Sequence, residues 1–305
     1  MDVISLIQDG QEILQKEHAA EEKTKLGQSR IGSIGVLTKK GVLGECLRKA
    51  YLRRTGIETT IDNSLLTLFD GGYANEEAVL KNLRKGGEAN QLEVDSDFSF
   101  RHALASGRPD IVLKKDGTPV HLIELKSICS FYSAKNYHFD MVPDKKHLAQ
   151  AGAYMMWLGE SDVTGSLLYS SRVYWHIPPF LAKMFLPGCY DVDFKGDRAY
   201  RVRPFNREYK LQWKDDSLTY ISDGMSEERV SPITKQGIED FYTRLSSIKE
   251  TDLVDAPPLA VDATLAKSFA PCDYCDLSDV CGAFPKTYKE LRESALKLPN
   301  VKEIK

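Results

Sequence analysis

Gly107-Arg108-Pro109-Asp110-Ile111-Val112-Leu113-Lys114-Lys115-Asp116-Gly117-Thr118-Pro119-Val120-His121-Leu122-Ile123-Glu124-Leu125-Lys126 is the stretch on which the reading of this chain turns. Residues 111–113 and 120–125 read as strands, and the Asp-Gly between them is a strong hairpin signal. Asp110 stands fourteen residues before Glu124, so an antiparallel pair brings the two toward one site. Strand side chains alternate faces, which puts Glu124 and Lys126 on the same side, roughly 7 Å apart, with Leu125 on the other. Val120 and Leu122 share the face of Glu124 and Lys126, so the strand begins apolar and ends in an ion-binding pair.

Outward from this hairpin, periodicity predicts helices over about 44–54 and 64–83, the second marked by Leu65, Leu66, Leu68, Val79, Leu80 and Leu83. Alternation at Leu92, Val94, Phe98 and Phe100 predicts strands before the hairpin. A largely buried helix is expected at 145–157, where Gly152 marks a close approach or a weak point. Aromatic-rich alternating stretches over about 164–221 read as further strands and hairpins. A helix over about 231–248 is expected to open at Ser231-Pro232, since Pro suits a first helical turn. Asp255-Ala256-Pro257-Pro258 reads as a linker into a Cys-rich tail, and Val3, Ile4, Leu6, Ile7, Ile13 and Leu14 predict a helix in the first 20 residues.

The 305 residues are 42% apolar and 28% charged, which is ordinary for a globular protein and argues against disorder or fibre. A net charge of -3 is not that of a nucleic-acid coat, although net charge averages over patches. No apolar run approaches a membrane span and the N-terminus does not resemble a signal peptide, so a cytoplasmic location without membrane association is expected. In a reducing compartment the six cysteines, Cys46, Cys129, Cys189, Cys272, Cys275 and Cys281, are poor disulfide candidates; metal ligands or buried thiols are favoured.

Two carboxylates and a lysine at one strand end suit phosphodiester hydrolysis. The carboxylates hold Mg2+ or Mn2+, which stabilises charge on the phosphate and lowers the pKa of a bound water. The lysine orients the nucleophile or stabilises the transition state. Taken alone, Glu-x-Lys on a strand is more often a solvated ion pair, and Pro-Asp a turn. Gln150 and Tyr154 lie four apart, on one helix face, where they could hydrogen-bond a phosphate or steady the lysine; a satisfied buried pair is the plainer reading. Glu76 falls on the stripe of Val79, Leu80 and Leu83, whereas Glu77 is a step around and solvated.

In this order, Glu76, Gly-Arg-Pro-Asp110, Glu124-Leu125-Lys126 and Gln150-x3-Tyr154 resemble the motifs of the PD-(D/E)xK nuclease superfamily, in its RecB-like branch. The resemblance implies a restriction-endonuclease-like α/β core, a mixed sheet flanked by helices. It implies Asp110, Glu124 and the carbonyl of Leu125 as metal ligands, Lys126 as the catalytic lysine, and Gln150 and Tyr154 as the fourth motif. RecB-like members usually carry a metal-binding His in the early helix. The window Gly71-Gly72-Tyr73-Ala74-Asn75-Glu76-Glu77 has none, and Glu76 is the replacement expected here.

Cys272-x2-Cys275-x5-Cys281, with Cys46 far upstream, offers four thiolates to either zinc or a [4Fe-4S] cluster. One Cys before the core and three after it resemble the iron-sulfur subset of RecB-like nucleases, which includes CRISPR-associated RecB-like exonucleases, AddB and exonuclease V. In that subset the cluster is chiefly structural, which implies a Cys-cluster lobe joining the N- and C-terminal segments. Cys129 and Cys189 are left as buried apolar thiols.

Basic residues gather near the site (Arg101, Arg108, Lys114, Lys115, Lys135, Lys145, Lys146, His147) and beside Cys46 (Arg48, Lys49, Arg53, Arg54). They suit phosphate contacts, and Phe131, Tyr132, Tyr137 and Phe139 suit stacking on unpaired bases. The expectation is a Mg2+- or Mn2+-dependent DNA exonuclease acting on single strands or ends. It comprises an N-terminal helical segment (1–43), a nuclease core with the first cluster Cys (44–160), a strand-rich extension (161–230), and a C-terminal helix with the iron-sulfur lobe (231–305). The alternatives are a non-catalytic DNA-end-binding or assembly factor on the same fold, and a structural zinc protein.

Overall fold

The computed structural model describes residues 29–30, 35–38, 41–59, 63–158, 163–172, 175–177, 192–195, 199–202, 204–254, 280 and 286–303. They fall into two compact units, one within 1–67, 100–107 and 233–305, the other within 68–99 and 108–232. The helix expected in the first 20 residues, the linker at 255–258, Cys189, Cys272, Cys275 and Cys281 lie outside the described residues. No helix among the described residues is long and apolar enough to cross a membrane.

The second unit is built on a mixed seven-stranded sheet with helices on both faces, an α/β arrangement. Its strands, β1 (Glu93–Asp95), β2 (Ile111–Lys115), β3 (Thr118–Ser127), β4 (Thr164–Ser171), β5 (Phe205–Lys214), β6 (Ser217–Ile221) and β7 (Arg229–Thr234), lie side by side in chain order. Its helices include α2 (Asn63–Ala89) and α3 (Lys145–Trp157), while α1 (Leu47–Arg54), α4 (Lys235–Ser247) and α5 (Tyr288–Ala295) belong to the first unit.

The β2–β3 hairpin forms where the sequence predicts it. Asp116 and Gly117 have φ of 52° and 80°, the paired positive values of a two-residue turn that matches strand twist. Pairing proceeds from Lys115 opposite Thr118 to Ile111 opposite Ile123, with one register shift between Leu113 and Lys114. β3 and β4 run parallel, Tyr169 level with Lys126 and Leu167 level with Glu124. Parallel neighbours need a crossover, and α3 supplies it. Asp144 caps α3 by accepting the Lys146 N–H at 2.7 Å. Gly152 is a close approach: a Cβ there would stand 3.1 Å from Leu218 Cδ2 and 3.2 Å from the Trp213 ring.

The sheet's two faces take different helices. Leu80 of α2 packs with Ile111 and Ile123, joined by Leu83, Val94, Leu113 and Leu168. His147 of α3 bonds Tyr169, which shares a face with Lys126. Because neighbours along a strand alternate, α2 covers the face of Leu125 and Ser127, and α3 covers that of Glu124 and Lys126.

In the first unit Gly35–Thr38 and Gly41–Gly44 pair as a hairpin, and α4 lies on the first of these strands. Gly237 permits that approach, since a Cβ would fall 2.4 Å from the Leu37 carbonyl oxygen. Tyr51 of α1 and Tyr288 of α5 bring their ring centroids to 4.7 Å, and Arg54 donates to the Leu245 carbonyl.

Two expectations are corrected. The helix expected to open at Ser231-Pro232 begins at Lys235, capped by Thr234, whose hydroxyl accepts the Gly237 N–H at 3.0 Å. Ser231 and Pro232 belong to β7, at the sheet's edge, where the missing N–H of a proline costs no ladder bond. Cys129, expected to be a buried thiol, is exposed, two residues beyond the end of β3.

Candidate active site

The pairing of Ile111 with Ile123 carries Asp110 beside Glu124 and Leu125, and the Leu125 N–H donates to Asp110 Oδ2 at 2.7 Å. Glu124 is 0% exposed, and Lys126 Nζ donates to its Oε1 at 2.5 Å. The other oxygen, Oε2, is buried and finds no donor. The Asp110 carboxyl lies within hydrogen-bonding reach of Glu124. Two acceptors can meet in that way only with a proton or a cation between them.

The electrostatics agree. Burial, reinforced by the Asp110 charge and opposed by Lys126, pushes the Glu124 carboxyl up to about 8. Burial likewise raises Asp110, against the pull of Lys126 and the Leu125 N–H. Glu76, half-buried on α2, is raised by burial and then by Asp110, so it faces the same cluster; Glu77 is exposed. Burial draws the Lys126 ammonium down, but the Glu124 and Asp110 charges outweigh it and hold it above its ordinary value. Three carboxylates therefore share one lysine. A cation would let all three ionise.

Among the described residues no group of three or more His, Cys, Asp or Glu side chains is placed to hold a metal ion, so Glu76 does not complete a three-carboxylate site with Asp110 and Glu124. Lys126 occupies one oxygen of Glu124, and the Leu125 N–H one of Asp110. On α3, Gln150 Nε2 donates to Tyr154 Oη at 3.4 Å, so the two expected partners meet each other on the helix that covers this face.

Further residues surround the site, and of these only His147 is singled out by the sequence, as a candidate cation. On the α3 face, His147 Nδ1 lies 2.9 Å from Tyr169 Oη, which also accepts the Asp144 N–H at 3.0 Å. Burial, opposed by Asp144 and aided by Lys126, pushes the His147 imidazole down to about 4. It is therefore neutral at neutral pH, which removes it from the cations expected to contact DNA. On the α2 face, Asn75 is 7% exposed and donates to Ser127 Oγ at 3.0 Å and the Ser170 carbonyl at 3.3 Å. Tyr73, one turn before Glu76, is 54% exposed. An asparagine inside a helix, next to a candidate carboxylate, is the sequence signal for this hub.

Much of the expected basic patch is paired locally: Arg108 with Asp97 at 2.7 Å, Lys114 with Asp95 at 2.5 Å, Lys135 with Asp140, and Arg53 with Glu45 at 3.0 Å. Arg48 is buried, whereas Arg101, Lys115 and Lys146 are exposed. Tyr137 stacks on Tyr169 at 4.3 Å and Phe139 lies edge-on to His138 at 4.8 Å, which engages both rings within the fold. The side chains of Phe131 and Tyr132 lie outside the described set. Cys46 caps α1, its Sγ accepting the Lys49 N–H at 3.4 Å.

No protein-family model matches the chain, and neither does any curated protein or solved structure.

Proposed function

We propose that the chain is a Mg2+- or Mn2+-dependent DNA exonuclease with a restriction-endonuclease-like core of the PD-(D/E)xK, RecB-like type, acting on single strands or DNA ends. The observation that carries the reading is the fully buried Glu124, one oxygen held by Lys126 and the other without a donor, beside the half-buried Asp110. The donor set fits a small hard cation, which takes one or two carboxylates and keeps waters and substrate oxygens for the rest. Asp110, Glu124 and the Leu125 carbonyl would hold it, with Glu76 adding negative charge nearby. Bound there, it supplies charge neutralisation at the phosphate and a water of lowered pKa.

The chain's own residues do the remainder. The Lys126 ammonium, released from Glu124 once that carboxylate is otherwise compensated, is placed to hold a phosphate oxygen or the attacking water. Glu124 and Asp110 stay ionised and fix the geometry. Gln150 and Tyr154, joined to each other, offer an amide and a phenol to the same face.

Purified protein given Mg2+ or Mn2+ should shorten end-labelled DNA, and Asp110→Ala, Glu124→Ala and Lys126→Ala should each lower the rate by at least about a hundredfold. Undiminished cleavage by all three variants would overturn the assignment. The same reading gives Cys46, Cys272, Cys275 and Cys281 to a [4Fe-4S] cluster, for which zinc is the alternative occupant of four thiolates.

A further inference from the structure

Arg172 is exposed and lies one residue beyond β4, at the carboxyl end of the parallel pair whose other member ends in Lys126 and Ser127. Its Nε donates to Asn75 Oδ1 at 3.1 Å. Asn75 is itself held from three sides. Its amide donates to Ser127 and to the Ser170 backbone, and the Ser170 hydroxyl lies 3.2 Å from its Oδ1 and 2.7 Å from Asn206 Oδ1. Asn75 is the chain neighbour of Glu76, and Ser127 that of Lys126, so this guanidinium is fixed at the same end of the sheet as the site, on the α2 side.

A guanidinium has five donors in a planar fork, and anchoring Nε leaves the two terminal nitrogens directed away from the anchor. That pair matches the oxygens of a phosphate. Among the described residues no carboxylate pairs with Arg172, in contrast to Arg108 and Lys114, which are neutralised by Asp97 and Asp95. Its position also suits a ligand, because open α/β sheets bind ligands beyond the carboxyl ends of their strands.

We infer that Arg172, oriented by Asn75, grips a phosphate of single-stranded DNA next to the one cleaved. The inference rests on the nuclease reading and adds to it a substrate contact outside the carboxylate–lysine set. A mid-helix Asn that bonds two strand ends and an arginine at once has a plain use in this: it holds a flexible side chain in one pose before the substrate arrives.

The test uses the full chain carrying Asp110→Asn, so that binding is read without cleavage, and follows the fluorescence anisotropy of labelled oligothymidylate over a range of salt. Arg172→Met should weaken binding about fivefold or more at low salt and reduce the log–log salt slope by about 0.7, the value for one phosphate contact on a single strand. Arg172→Lys, which keeps the charge and loses the fork, should restore the slope while recovering only part of the affinity. A folded Arg172→Met protein with the parent's affinity and slope overturns the inference, as does an Arg172→Lys protein whose slope stays reduced. A parent that binds no DNA overturns the nuclease reading and the inference together, whereas a parent that binds and an unchanged Arg172→Met protein sink the inference alone.

Discussion

Glu124 keeps its proton up to about pH 8 in the metal-free fold, whereas an unperturbed glutamate loses it near 4.5. The folded state therefore binds more protons across that window, and stability falls as pH rises through it, by at most about 1.4 kcal/mol per pH unit for one group. His147 acts with the opposite sign at lower pH. Its imidazole is neutral in the fold down to about 4, while the unfolded chain takes up that proton below 6.5, so stability falls as pH drops from 6.5 toward 4. Between about pH 4.5 and 6.5 the two slopes cancel, so melting temperature in a chelator should show a broad optimum there and fall on either side. Glu124→Gln should remove most of the alkaline decline. Added Mn2+ should raise the melting temperature more at pH 8 than at pH 6, because its ligands must first lose their protons; equal shifts at the two pH values would count against Asp110 and Glu124 as its ligands.

Elements differ in how far the sequence announces them. The β2–β3 hairpin and α3 are legible because their signals are local: Asp116-Gly117 for the turn, and for the helix the density of small and apolar residues over 148–156. Ser231-Pro232 misleads for an equally local reason. A proline suits a first helical turn and an edge strand alike, and the choice is made by the sheet beside it, which no short window contains. The Asn75–Arg172 contact spans 97 positions of sequence, so neither residue advertises the other. Asp110, Glu124 and Lys126 could be read in advance because turn chemistry and strand alternation fix their relation. Whether Arg108 and Lys114 are free or paired could not, since their partners are set by the turn after β1 and by the pairing of β1 with β2.

Gly237 offers a test at this scale. Helix propensity alone makes Gly→Ala in α4 stabilising by about 1 kcal/mol. The new methyl would meet the Leu37 carbonyl oxygen at 2.4 Å, a backbone atom that cannot turn aside as a side chain can. Gly237→Ala should instead lower stability by about 1–3 kcal/mol in urea titration. A gain would show that the hairpin yields to α4 at little cost.

At the scale of the whole molecule, the cysteine proposal is the part most open to a direct answer. Anaerobically purified protein should be brown, with broad visible absorbance and iron and sulfide near four of each per chain. Cys46→Ala should bleach it. A colourless protein with one zinc per chain would replace the cluster with a zinc site and leave the carboxylate site where it is.

The path of the backbone through its two compact units limits how the protein can be taken apart. Residues 100–107 depart from the sheet unit between β1 and β2 and belong to the other unit, as do both flanks of the chain. A fragment spanning 68–232 thus carries eight foreign residues in its middle, and deleting them severs β1 from β2. No single protease nick can release one unit intact. Dissection by truncation is accordingly the wrong tool for this chain, and its activities have to be separated by point substitution in the full-length protein.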